Sequence, residues 1–207
     1  MNKPVLLIFS LISLMTFNGC YPFFLFQSPL VLKPGEEAAV IGVAYMSNVY
    51  EPTLDTLGNE NSFFADAAFM YRLGLGANTD AGAKVVGYPW RPTLLMLDLK
   101  QQLLRGKLNL AADLGLSFFG RGNGGFTLGY HPNLIAGLGD WTMHSQVNYL
   151  RGQDFLYITY DWGLAYSFYP AEGVRTLSPQ FGLHLGHDNP ENIYYSLAIS
   201  FQSDFDL

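Results

Sequence analysis

Stretch after stretch of this chain alternates bulky apolar residues with small or polar ones at a period of two, and that pattern restricts the fold more than any other feature. In "KLNLAADLGLSFF", residues 107 to 119, Leu108, Leu110, Ala112, Leu114, Leu116 and Phe118 oppose Lys107, Asn109, Ala111, Asp113, Gly115 and Ser117. In "FLYITYDWGLAYSFY", 155 to 169, Leu156, Ile158, Tyr160, Trp162, Leu164, Tyr166 and Phe168 share one face. "WTMHSQVNYL", 141 to 150, sets Trp141, Met143, Val147 and Tyr149 against Thr142, His144, Gln146 and Asn148, with Ser145 the exception. Successive side chains of a strand point to opposite faces, whereas a helix would scatter these residues at 3.6 spacing.

The pattern predicts ten strands, at 36–47, 63–77, 80–88, 93–104, 107–119, 125–137, 141–150, 155–169, 177–187 and 192–205. Turn signals lie between them, among them "ANTDAG", "YPWRP", "RGK", "GRGNGG", "GLGD", "RGQD", "PAEGVRTLS" and "HDNPEN". Gly, Asn, Asp and Pro supply tight-turn geometry. Short connections imply an antiparallel, up-and-down order. A long sheet of this kind removes its exposed edges by closing into a barrel. The expected class is therefore an all-β, antiparallel barrel of about ten strands, in one domain without a linker.

The polar face decides which way such a barrel is turned. It carries Asp66, Arg72, Lys84, Asp98, Lys100, Gln102, Asn109, Asp113, His131, His144, Gln146, Asn148, Asp161 and His184, interspersed with Gly, Ala, Ser and Thr. Charged residues make up 14% of the chain, against about 25% in a typical soluble domain. A soluble exterior would carry more Lys and Glu. The apolar face holds more Leu, Ile, Phe, Tyr and Trp than a ten-stranded interior can take. The expectation is an inverted barrel: apolar surface outward to lipid, and a lumen network of Asp66, Arg72, Lys84, Asp98, Lys100, Asp113, His144, Asp161 and His184. A soluble, lipocalin-like cup is the alternative. No window after Cys20 offers about 20 uninterrupted apolar residues, so a bilayer would be crossed by strands. Aromatics gather at strand ends, including Tyr45, Phe63, Tyr88, Trp90, Phe118, Phe126, Trp141, Tyr149, Phe168, Tyr169, Phe181 and Tyr195. Membrane barrels have such girdles at both interfaces, with about 10 residues per strand.

From Tyr195 the apolar face continues through Leu197, Ile199, Phe201, Phe205 and Leu207, broken by Ser203. This run resembles the C-terminal signal of bacterial outer-membrane proteins, with Leu207 where the usual final residue is Phe. The chain from residue 36 onward resembles small outer-membrane barrels of the OmpA/OmpX class. The resemblance implies an outer-membrane location, insertion by the barrel assembly machinery, outer-membrane lipids as partners and short periplasmic turns. An even strand number would put both termini in the periplasm. The segment "SNVYEPTLDTLGNENS", 47 to 62, would then be the longest outer loop, and 88 to 92 another.

The chain opens MNKPVLLIFSLISLMTFNGC, with Lys3 its only charged side chain before Lys33. A basic start followed by a short apolar run is the pattern of a secretory signal. Gly19 before Cys20 resembles the lipobox of bacterial lipoproteins, with Phe17 and Asn18 standing where the usual box has Leu and a small residue. The resemblance implies a signal peptide at 1–19, a lipidated segment at 20–35 beginning at Cys20, and a barrel domain at 36–207. Cys20 is the chain's one cysteine, so a secreted form has no disulfide partner for it.

Chemistry on this scaffold is expected to be absent. His144 and Ser145 are neighbours in a strand and point to opposite faces, so they form no dyad. His131, His144 and His184 read as lumen residues satisfied by polar neighbours, because unpaired buried polar groups are costly. His187 and Asp188 lack further ligands for a metal. "GRGNGG" joins two strands and so is no phosphate loop. "DLK", 98 to 100, suggests an internal ion pair. The expectation is no enzyme, no catalytic or metal residue and no cofactor. The net charge of −6 argues against nucleic acid. The functional expectation is a structural or surface-binding barrel acting through outer loops, with the external ligand unknown. A narrow channel for small solutes and a lipid-acting enzyme are the alternatives.

If Cys20 carries lipid, labelled palmitate is incorporated into the chain and Cys20→Ser abolishes the labelling. Equal labelling of the two proteins removes the lipoprotein expectation.

Overall fold

The structure is a computed structural model that describes residues 28–48, 64–88, 91–120, 126–151, 156–168, 176–186 and 193–204. Cys20 and the signal-like run, most of the 47–62 segment, residues 89–90, His187, Asp188 and the C-terminal Phe205 and Leu207 lie outside these residues. Among the described residues there are ten strands and no helix: β1 (Glu37–Asn48), β2 (Phe64–Gly76), β3 (Thr79–Tyr88), β4 (Arg91–Leu104), β5 (Leu108–Gly120), β6 (Phe126–Leu138), β7 (Trp141–Arg151), β8 (Leu156–Tyr166), β9 (Thr176–Gly186) and β10 (Ile193–Asp204). Each strand pairs with its sequence neighbours, and β1 pairs with β10, which closes the barrel. Every pairing is antiparallel.

The ten expected strands correspond one to one with those observed. Two boundaries differ by more than one residue. β4 begins at Arg91 and takes in Pro92, which faces Gly87 where the β3–β4 register shifts; a residue without an N–H is tolerated at such an irregularity. β8 ends at Tyr166, and Phe168 makes an isolated bridge to Leu177. Pro132 lies inside β6, and the β6–β7 ladder is interrupted at His131 and Pro132, because proline has no backbone donor to give.

β4 displays the two faces most plainly. Leu94, Met96, Asp98, Lys100 and Gln102 are buried in the lumen, while Leu97 and Leu99 are 48% and 50% exposed on the outside. The same inversion runs around the barrel. Ile41, Val43, Phe69, Leu116, Leu134, Met143, Trp162, Phe181 and Leu197 all point outward. Of the residues expected to face lipid, Leu114, Trp162 and Leu197 are exposed, and Leu110, Ile158 and Ile199 are half-exposed. Gln146, Asp113 and Asp161 are buried inside as expected. Asn109 differs. It is half-buried at the rim, where its Oδ1 accepts the Gly106 N–H at 3.2 Å and so belongs to the turn.

Ala38 opposes Asp204, so both ends of the barrel chain lie at one mouth, the N-terminal mouth. The turns at this mouth include Ala77–Asn78, both with positive φ (49° and 60°), the geometry of the tight hairpin turn that fits strand twist. Aromatic rings cluster at both rims. Trp141, Tyr166 and Phe168 stack edge to face at the N-terminal mouth, with centroids 4.8 and 4.6 Å apart. Tyr45 and Tyr195 meet at 6.2 Å at the opposite mouth.

An exterior of this kind is tested by depth. Leu97→Arg, near the middle of β4, is expected to destabilise the barrel in vesicles by about 2–4 kcal/mol, and Leu104→Arg, at the rim, by about 0–1 kcal/mol. Urea unfolding midpoints measure both. Equal effects at the two depths contradict a lipid-facing surface.

Candidate functional site

The lumen gathers the charges. Arg72 on β2 donates from Nε to Asp80 Oδ1 at 2.8 Å, and its Nη2 also meets that oxygen. Its Nη1 lies 2.6 Å from Asp98 Oδ1 on β4. β3 runs between β2 and β4, and the residue of β3 in line with both Arg72 and Asp98 is Gly82. A Cβ there would stand 2.8 Å from both Arg72 Nη1 and Asp98 Oδ1. The missing side chain therefore lets an ion pair form across an intervening strand.

Lys100 lies in register with Asp80, and its Nζ is 3.3 Å from Asp80 Oδ2. Asp98 and Lys100 thus each find a partner elsewhere, where "DLK" had suggested a pair between them. Lys84 is buried at mid-height on β3 and Asp113 on β5. Asp66 occupies a β2 position paired with Ala44, and its side chain is outside the description.

A second network fills the other half of the barrel. Asp161 accepts from Asn148 Nδ2, and Thr159 Oγ1 accepts from the same amide nitrogen at 2.9 Å. A carboxylate can only accept, so it orients the Asn148 amide with Oδ1 turned the other way. That oxygen meets His131 Nδ1 at 2.8 Å, which places the ring proton on Nδ1. His131 Nε2 is then the acceptor for the Ser117 hydroxyl, 2.6 Å away. Gln146 Nε2 also donates to Asn148 Oδ1. On the far side Asp161 Oδ1 is 3.0 Å from His184 Nδ1, and His184 Nε2 is 2.9 Å from Ser196 Oγ. One chain of polar contacts therefore links β5 to β10 in strand order: Ser117, His131, Asn148, Asp161, His184, Ser196. His144 is half-buried beside it, with its ring over the bare backbone of Gly163.

Ser196, His184 and Asp161 have the spacing of a serine, its base and the carboxylate that orients the base. Ser196 is 2% exposed, and a Cβ on Gly182 would already strike its Oγ. A carbonyl substrate has no approach to that oxygen, so the three residues act as a link in the lumen network.

The register joins the two networks. Asp80, Lys100, Asp113, Asn133, Gln146, Asp161 and His184 lie opposite one another in unbroken succession from β3 to β9. Because Asp80 is near the N-terminal mouth and His184 near the other, this row climbs the lumen as it circles it. Asp80, Ser117, Asn148 and Ser196 were not singled out from the sequence as members of the network. Their one signal was a place on the polar face of a strand.

The N-terminal mouth is occupied by residues 28–34. Lys100 Nζ donates to the carbonyls of Ser28 and Leu30 at 3.0 and 2.8 Å. Leu32 N–H donates to Asp80 Oδ2 at 3.1 Å. Pro29 is buried against Gly137 of β6. Beside the segment is a cavity of about 50 Å³ lined mainly by Ser, Thr and Gln. Among the described residues no cluster of His, Cys, Asp and Glu is arranged to hold a metal.

Removing one member of a buried charge cluster leaves its partners uncompensated, at a cost of about 3–5 kcal/mol. Arg72→Met, which takes an ion-pair partner from both Asp80 and Asp98, is expected to fall in that range by urea titration. Gly82→Val, which alters no charge, is expected to destabilise in the same direction by wedging the pair apart. Unchanged stability in both variants would mean that the pair contributes nothing.

No family model matches the chain, and no curated protein sequence matches it. Among solved structures it is similar to the COG4313 outer membrane channel from Pseudomonas putida F1, at 12% identity over 90% of this chain and 100% of that one, with a TM-score of 0.48. It is similar to a de novo designed transmembrane β-barrel at 12% identity over 85% and 100%, with a TM-score of 0.34. It is similar to Ail, the attachment invasion locus protein of Yersinia pestis, in complex with a heparin analogue, at 8% identity over 83% and 99%, with a TM-score of 0.34.

Proposed function

We propose that this chain is an outer-membrane barrel with a closed, non-conducting lumen, whose role is structural or surface-binding and is carried by its outer loops. The observation that carries the reading is the filled lumen. Arg72, Asp80, Asp98 and Lys100 are held in ion pairs, Asp161 is bonded to Asn148 and His184, His131 is hydrogen-bonded and His144 packs on the wall, and residues 28–34 occupy one mouth. A barrel of about 8 strands has an interior that side chains just fill, and one of 16–18 strands leaves an aqueous channel. Ten strands packed in this way stand at the filled end.

The outer membrane is favoured by the apolar outer face and the aromatic rims, the features of bacterial membrane barrels. In that class short turns face the periplasm, so the N-terminal mouth is assigned to the periplasm, together with both termini. A lipid on Cys20 would then lie in the inner leaflet, and the barrel assembly machinery would insert the chain. The chain is read as non-enzymatic, since the one serine–histidine–aspartate arrangement described is sealed from substrate.

Purified protein in planar bilayers is expected to show no stable, large open state. A reproducible large conductance that changes when Asp98 or Lys100 is replaced would promote the channel alternative over this reading.

A further inference from the structure

We infer that residues 28–34 are a removable gate, a strap whose release opens a path for small uncharged polar solutes along the β7–β10 wall. The first ground is how the strap is held. Among the described residues its backbone bonds no strand until Gly35, whose N–H reaches Gly74 O at 2.9 Å. Before that point the strap hangs on side chains of two strands: Lys100 on the Ser28 and Leu30 carbonyls, Asp80 on the Leu32 N–H, and Gln102 Oε1 at 3.5 Å from the Val31 nitrogen. Strands are locked by ladders of backbone bonds, and this segment has none.

The second ground is that release leaves no charge stranded. Lys100 and Asp80 are paired with each other at 3.3 Å, and Asp80 is also paired with Arg72, whether or not the strap is present. The one charge the segment carries, Lys33, is 72% exposed and paired with Glu36 at the surface, and the buried groups that leave are uncharged and leave for water. The buried-charge penalty that would lock a charged plug in place does not apply.

The third ground is the space on the strap's free side. The cavity of about 50 Å³ lies between Ser28 and a wall that includes Thr142, Thr176, Ser178, Gln180 and Ser200. A smaller one of about 20 Å³ lies along the strap, lined by Leu30, Leu32 and Ala38 and by the paired Arg72 and Lys100. The larger is room for one or two waters, each of which takes about 30 Å³ in the liquid. Its lining offers hydroxyls and amides and no charge, which suits small neutral polar molecules and offers nothing to select an ion.

The fourth is a hinge. Gly35, at the root of the strap, has φ of 77° with nothing within 4 Å of its absent Cβ. Glycine takes this left-handed geometry without the cost a Cβ would carry, and two backbone bonds, Gly35 N–H to Gly74 O and Glu36 N–H to Lys33 O, hold the turn.

The inference goes beyond the closed-barrel reading, which it leaves intact: the unmodified barrel stays shut under both. The experiment uses full-length protein in liposomes with Ser28→Cys in a Cys20→Ser background. This change keeps the Ser28 carbonyl that Lys100 holds. Folding is checked by the electrophoretic mobility of unheated barrel, and glycerol and urea entry are followed by light scattering. A bulky, reducible thiol reagent is expected to modify Cys at position 28 and to prevent the strap from reseating. Glycerol entry then rises about tenfold, and reduction of the adduct reverses it. Adding Lys100→Met, which removes two hydrogen bonds from a charged group, is expected to speed modification at least about tenfold. Complete modification without a change in entry overturns the inference, because the strap would then gate nothing. Failure of the thiol to react over hours, or equal rates with and without Lys100, also overturns it, because the strap would then be fixed. Conduction by the unmodified protein would instead count against the closed-barrel reading.

Discussion

A backbone N–H or C=O that meets hydrocarbon must be bonded to protein, because no water is there to replace the lost partner. The β1–β10 pairing answers that requirement for the sheet as a whole. It runs without interruption from Ala38↔Asp204 to Asn48↔Tyr194, so neither terminal strand is left with an open edge. Once the ring is closed, the period-two alternation has two consequences. Leu, Ile, Phe and Trp face outward, and every polar residue on the other face is enclosed with its counterparts. The lumen networks follow from closure; without it Asp80 and Lys100 would be solvated side chains on a sheet.

Enclosure makes pairing obligatory, and the chain meets it with glycine as much as with charge. Gly82 opens the line from Arg72 to Asp98, Gly129 leaves room for Ser117 and His131, and Gly182 does so for Ser196. In each case the space of an absent side chain is taken by a neighbour's longer one. The fold thereby converts a wall one residue thick into a network that reaches across strands. Pairing also explains why the two histidines closest to the charges differ in partners. His184 faces a carboxylate, while His131 faces an amide that the same carboxylate has oriented.

Strands and orientation were legible in the sequence because both depend on local alternation. In β4 the order of Leu97, Asp98, Leu99 and Lys100 already states which residues go in and which go out. Partners were not legible. Asp98 and Lys100 look like a pair at i and i+2, yet Arg72 is 26 positions from Asp98 and lies two strands away. Which residues meet depends on register, and register is set by turns such as Ala77–Asn78 and by irregularities such as the one at Gly74. The strap was illegible for another reason. It binds through two backbone carbonyls and two amides, and such groups are the same in every residue but proline. Pro29, Val31 and Leu32 carry no mark of an enclosed segment.

The strap also bears on the order in which the barrel assembles. It stands first among the described residues, and the side chains that hold it are Asp80, Lys100 and Gln102. Every side chain that bonds it has been made once β4 has been made; the Gly137 wall against which Pro29 packs comes with β6. The ring, by contrast, closes between β1 and β10, the pairing of greatest sequence separation and the one with the largest loop-closure entropy. A curled sheet of β1 to β4 can therefore hold its strap while the remaining strands are still to be added. Closure then occurs around a lumen that already has an occupant at one end. The late strands β7 to β10 meet that occupant across hydroxyl and amide groups, and the charges of β2 to β4, Arg72, Asp80, Asp98 and Lys100, have been matched before they arrive.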